Sequence, residues 1–131
     1  MKCFLKIGFS IVFALSVLTG CASSGDSAGK GSPWGAPPFT GTVTGTARGY
    51  APGVEVTLTL VNGLITEVVL DLSRETAAFA RTPGRDAPGM IIAMNSTNID
   101  TIAAASETCR GIREAGKQAL LKIPGVTDVG Y

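Results

Sequence analysis

VEVTLTLVNGLITEVVLDL, residues 54–72, is the stretch that decides the fold. Val54, Val56, Leu58 and Leu60 alternate with Glu55, Thr57 and Thr59. Successive side chains of a strand point to opposite faces, so this period of two gives one buried apolar face. Asn62-Gly63 is a dipeptide whose members both accept positive φ, as a two-residue type I′ turn requires. A second β-rich run, Leu64 to Leu72, follows at once, and the whole reads as a hairpin. Upstream, FTGTVTGTARGY (39–50) alternates Thr and Val with Gly and gives a first strand that ends near Gly49-Tyr50.

Downstream the pattern becomes helical. Ser73 to Ala80 reads as a short helix with Ser73 as its N-cap, broken by Thr82-Pro83-Gly84. A second short helix spans Pro88 to Met94, with Asn95 at its end. Ile99 to Ala105 leads into a longer helix from about Glu107 to Lys122. Ile112, Ala115, Ala119 and Leu120 fall on one of its faces, and Arg113, Glu114 and Lys117 on the other. Pro124-Gly125 ends it, and VTDVGY (126–131) reads as a closing strand. Strands first and helices afterwards predict an α+β fold: a single small domain, residues 39–131, whose antiparallel sheet has the Asn62-Gly63 hairpin at its centre and helices packed on it.

The opening residues, MKCFLKIGFSIVFALSVLTGCASS, have the parts of a secretory signal. Lys2 and Lys6 are followed by an uncharged apolar run, Ile7 to Leu18. That run is shorter than the roughly 20 residues a membrane-spanning helix needs. It ends in Leu18-Thr19-Gly20-Cys21, which resembles the lipobox of bacterial lipoproteins at all four positions. The resemblance implies a signal peptide over residues 1–20, a lipid on Cys21, and a location outside the cytoplasm, anchored to a bacterial membrane. Residues 21–38 are rich in Gly, Ser, Ala and Pro and read as a tether, with a root-mean-square reach of roughly 20–25 Å if flexible. Trp34 within it reads as an aromatic tucked on the domain edge.

Composition narrows the chemistry. The formal net charge is +1, and no Lys/Arg cluster follows the signal segment, so nothing points to nucleic acid. The chain has no histidine, which removes the commonest metal ligand and the usual general base. With Cys3 in the signal and Cys21 acylated, Cys109 stands alone, and it reads as a half-buried small thiol. No metal site and no catalytic residue are expected.

The segment Asp100-Thr101-Ile102-Ala103-Ala104-Ala105-Ser106-Glu107-Thr108 lies where the long helix begins. It resembles the flavinylation motif of the FMN-binding domain family, found in flavin subunits of ion-pumping respiratory complexes. Asp100, Ala105, Ser106 and Thr108 match in register; Ala103 stands where Ser or Thr is usual, and Ala104 where Gly is usual. The run 45–50, the Asn62-Gly63 hairpin and Glu75-Thr76 follow the family's order, so the resemblance spans nearly all of 39–122.

The resemblance implies FMN joined through its phosphate to the Thr108 hydroxyl, by a separate transferase that takes FMN from FAD. An anion there is favoured by the unpaired N–H groups and positive dipole end of the helix start. From the residues alone, Thr108 and Ser106 each read equally as a helix N-cap. The family register makes Ser106 a cap and phosphate neighbour, and Asp100 a brace for the loop. It sets Glu75 and Thr76 near the flavin, lets the backbone approach at Gly49, and leaves Tyr50 either stacked on the ring system or as an edge aromatic. Arg110 reads as a solvated residue or a phosphate partner. If the backbone at 104 needs positive φ, Ala there costs freedom that Gly has.

The function implied is that of an electron carrier rather than a complete enzyme. Its partners are the flavin transferase and a membrane respiratory complex or extracytoplasmic reductase. Two alternatives stand beside it: a flavin-free surface lipoprotein that keeps the fold, and an accessory subunit that binds FMN non-covalently.

Overall fold

Residues 54–72 form the middle strand and one edge strand of a three-stranded antiparallel sheet in the computed structural model, which describes Gly35 and residues 38–131. Residues 1–20, expected to be a signal peptide, and Cys21 and Trp34 lie outside the described residues. Strands β1 (Gly41–Arg48), β2 (Pro52–Val61) and β3 (Leu64–Asp71) pair in the order β1-β2-β3. Val54, Val56, Leu58 and Leu60 of β2 are all fully buried, as the alternation requires. Leu58 lies opposite Val43 and Val68, and Val56 opposite Gly45 and Leu70. The other face is threonine-rich and open, with a Thr44–Thr57 hydroxyl pair at 3.0 Å. At the β2–β3 turn Asn62 and Gly63 both have positive φ, 53° and 75°, as expected of that dipeptide.

Two helices cover the inner face. The first, α1 (Ala77–Met94), corrects the expectation of two short helices, because it runs unbroken through Pro83 and Pro88. Neither proline can donate to the carbonyl four residues back, and each interior proline costs about 3 kcal/mol. Packing outweighs that local cost. Pro83, Ala87 and Ile91, at positions i, i+4 and i+8, are buried on the face that packs against β3, and exposed Gly84 leaves its carbonyl to water. The cap is Thr76 rather than Ser73, and its side chain makes no capping bond. The helix closes at Asn95 in the left-handed region (φ 48°), with Asn95 N–H to the Ile92 carbonyl and Ser96 N–H to the Ile91 carbonyl, a Schellman arrangement. The Asn95 side chain then ties this end to the hairpin, accepting from Ile65 N–H at 2.8 Å and donating to the Gly63 carbonyl at 3.3 Å.

The second helix, α2 (Ser106–Leu120), buries Ile112, Ala115, Ala119 and Leu120 as the periodicity predicts. It lies unusually close to β1, whose inward positions are Val43, Gly45 and Ala47. A Cβ on Gly45 would sit 2.0 Å from the Ala115 carbonyl oxygen and 2.5 Å from the Ala119 nitrogen. Small residues on both elements therefore set the sheet–helix spacing.

Residues 126–131 do not form the expected closing strand. Gly130 has φ 76°, and its N–H bonds back to the Asp128 carboxylate at 3.0 Å, a local turn that competes with strand pairing. Val129 is buried, and Tyr131 is held by Thr97 through its hydroxyl and by Lys117 through its backbone oxygen at 2.5 Å. Among the described residues no helix is long and apolar enough to cross a membrane.

Candidate functional site

The sheet and both helices present the same end to one cleft: the β1–β2 turn, the beginning of α1 and the beginning of α2. Tyr50, Phe79, Ala104, Ser106, Glu107 and Thr108 line a cavity of about 200 Å³. Tyr50 is 58% exposed and forms a tilted pair with Phe79, ring centroids 5.2 Å apart, so two aromatic rings wall one side. Phe79 was not anticipated from the sequence. Its only signal is that it follows the cap Thr76 by three residues and so shares the end that holds Tyr50.

Behind the lining, Glu75 ties the parts together. It is 7% exposed, and its carboxylate accepts from Tyr50 N–H at 3.3 Å, Ala51 N–H at 2.8 Å and the Thr108 hydroxyl at 2.5 Å. One side chain thereby joins the turn that carries Tyr50 to the first turn of α2. Gly49 serves this junction. A Cβ on it would meet the Glu75 carboxylate at 2.8 Å, and a Cβ on Gly111 would meet the Gly49 Cα at 2.7 Å. The absent side chain at 49 thus admits Glu75 and α2.

The start of α2 departs from the sequence reading in three ways. First, its N-cap is Ala105, which is buried, so Ser106 is the first helical residue and not the cap. The first bond of the helix is Cys109 N–H to the Ala105 carbonyl at 2.9 Å, and no side chain caps the end. The N–H groups of 106–108 are left without helical acceptors, as at any helix start. Second, Thr108 lines the cleft from a buried position: the residue is 1% exposed, and its hydroxyl donates to Glu75. Extending the buried stripe of Ile112 back by four residues reaches 108, a signal the sequence contained. Ser106 is off that stripe and exposed at the cleft. Third, Cys109 is fully buried rather than half-buried, and its sulfur accepts Ile102 N–H at 3.4 Å.

Of the remaining expected site residues, Thr76 is exposed at the start of α1. Asp100 is exposed on the preceding loop and makes no hydrogen bond with a described residue. Arg110 is exposed and paired with Glu107 at 2.5 Å. No group of three or more metal-ligating side chains occurs among the described residues.

Ala104 adopts φ 63°, in the left-handed region that Gly occupies freely. An L-residue with a Cβ is disfavoured there by about 1–2 kcal/mol, partly offset on replacement by the greater freedom glycine has when unfolded. Ala104→Gly is therefore expected to raise unfolding stability by roughly 0.5–1 kcal/mol in urea titrations.

The FMN-binding domain model matches residues 49–121, a span that begins at the Gly49 turn and ends at the close of α2. The chain belongs to the FMN-binding domain family. No curated protein sequence matches it. The match makes FMN the cofactor and flavin-based electron transfer the broad role of this FMN-binding domain. The cleft suits such a group. Tyr50 and Phe79 offer apolar surface to a flat ring system, and the uncapped start of α2 offers N–H groups to a phosphate.

Proposed function

We propose that this protein is an extracytoplasmic electron carrier, held to a bacterial membrane by a lipid on Cys21 and bearing FMN covalently at the start of α2. The observation that supports the attachment is a cleft with aromatic walls that Thr108 lines together with Ser106 at the start of α2. A bound flavin would supply the redox chemistry, with Tyr50 and Phe79 placed to hold its ring system and the α2 start its phosphate. Glu75 keeps these parts in register.

The attachment residue is Thr108, which the motif register indicates; its hydroxyl donates to the Glu75 carboxylate at 2.5 Å and would exchange that bond for the ester. Ser106, exposed at the same cleft, would be the phosphate's neighbour. A flavin transferase working from FAD would join the FMN phosphorus to Thr108 Oγ1 and release AMP. Covalent attachment suits an exported carrier, which would otherwise lose its cofactor to dilution. The redox partners of such a carrier are a membrane respiratory complex or an extracytoplasmic reductase.

Co-expression with the transferase tests this. Flavin fluorescence is expected to survive denaturing electrophoresis, with peptide mass mapping placing FMN on Thr108. Thr108→Ala should abolish the signal, while Thr108→Ser and Ser106→Ala retain it. Loss in Ser106→Ala with retention in Thr108→Ala moves the attachment to Ser106. A wild type that binds flavin but releases it on mild denaturation favours the non-covalent subunit. A wild type without flavin sinks the carrier.

A further inference from the structure

The domain has two unlike ends. The flavin cleft occupies one, where β1 and β3 finish and both helices begin. The other is formed by the β2–β3 turn and the closing turns of the helices. Among the described residues seven large apolar side chains are exposed, and five belong to that second end: Val61 and Leu64 flank the turn, Ile92 and Met94 close α1, and Leu121 follows α2. The Asn95 bonds to Gly63 and Ile65 bring the close of α1 against the turn. Neither 60–65 nor 90–99 contains a charged residue.

The same end receives the polypeptide from its N-terminal side. Gly63 N–H bonds to the Phe39 carbonyl at 2.8 Å, and Asn62 N–H to the Thr40 hydroxyl at 3.0 Å. Everything upstream of residue 38, Cys21 included, therefore joins the domain at this turn. The cleft lies a strand length away, about 30 Å for a ten-residue strand.

From this coincidence of strand turn, uncharged apolar side chains and attachment point, we propose that the Asn62-Gly63 end is a membrane-docking surface. Val61, Leu64, Ile92 and Met94 enter the lipid headgroup boundary, and the cleft faces away from the bilayer. The inference rests on the reading of Cys21 as lipid-bearing. A patch of four side chains is a weak anchor by itself, but a lipid joined through a short segment converts its docking into an intramolecular step at high effective concentration. A partner protein is the less favoured occupant, because a soluble partner gains nothing from the attachment point being there.

The full lipidated chain tests this on phosphatidylethanolamine–phosphatidylglycerol vesicles. A polarity-sensitive fluorophore is placed on Leu64→Cys or, as the opposite end, on Tyr50→Cys; buried Cys109 and acylated Cys21 do not compete for the label. The expected result is blue-shifted emission, quenched by brominated lipid, at 64 and not at 50. Val61→Glu with Met94→Glu, both at exposed sites, should abolish the shift at 64 while the protein still floats with the vesicles. Flotation with a water-like probe at 64 overturns docking and leaves the anchor intact. A shift at 64 that needs an added membrane protein overturns it in favour of that partner. Failure to float removes the anchor reading, and docking with it.

Discussion

Gly45→Ala is expected to lower unfolding stability by about 3 kcal/mol or more, at the upper end of what overpacking a core costs. The new methyl would stand 2.0 Å from the Ala115 carbonyl oxygen, far inside contact distance, and 2.5 Å from the Ala119 nitrogen. Both are backbone atoms of α2, so no side chain can rotate aside. Relief requires moving the helix off β1 and opening the contacts of Ile112, Ala115 and Ala119 that fill the interior. For a domain of this size the loss corresponds to roughly 12–24 °C in melting temperature. Thermal melts should show it beside Gly89→Ala as a control, where a Cβ meets nothing within 4 Å. A Gly45→Ala protein that melts within a few degrees of wild type would show that α2 adjusts freely.

Glu75→Ala is the second large effect. Removing the carboxylate strips three donors of their acceptor: the buried Thr108 hydroxyl and the Tyr50 and Ala51 N–H groups. Each buried unsatisfied group costs about 1–3 kcal/mol, and a partial remedy from water at the cleft brings the expected total to roughly 3–4 kcal/mol. Glu75→Gln keeps one carbonyl oxygen and the side-chain volume, so about half of that loss is expected. Chemical denaturation measures both. Hydrogen exchange adds a local readout, since the Tyr50 and Ala51 amides should exchange faster in either variant before global stability is lost. Stability within 1 kcal/mol of wild type in Glu75→Ala would mean that the junction holds without it.

The legible parts of this fold were those fixed by short-range geometry. Alternation in β2 and two residues suited to positive φ at 62–63 determine the hairpin whatever surrounds it. The spacing of Ile112, Ala115 and Ala119 likewise fixes the buried side of α2. Where local and tertiary preferences disagree, the reading failed. Pro83 and Pro88 forbid backbone bonds locally, yet α1 continues because its face against β3 is buried. The pattern Val126, Val129 has a spacing of three, and the Asp128 turn replaces a strand there. At the site, Tyr50 and Ser106 line one cleft with Glu75 behind it, but family order gave no facing for the hydroxyls. Facing depends on which residue opens the helix and on a carboxylate 33 positions away, and only the fold supplies that partner for Thr108.

The first strand and the last helix are packing partners, and that has a kinetic consequence. The meander β1-β2-β3 is made of neighbours in sequence and assembles with little loop-closure entropy. Yet the β1–β2 part of its apolar side stays bare until α2, some sixty residues after β1, returns to cover Gly45. The pairing that closes the core is thus the one with the longest intervening segment, and folding is expected to wait on the arrival of that helix.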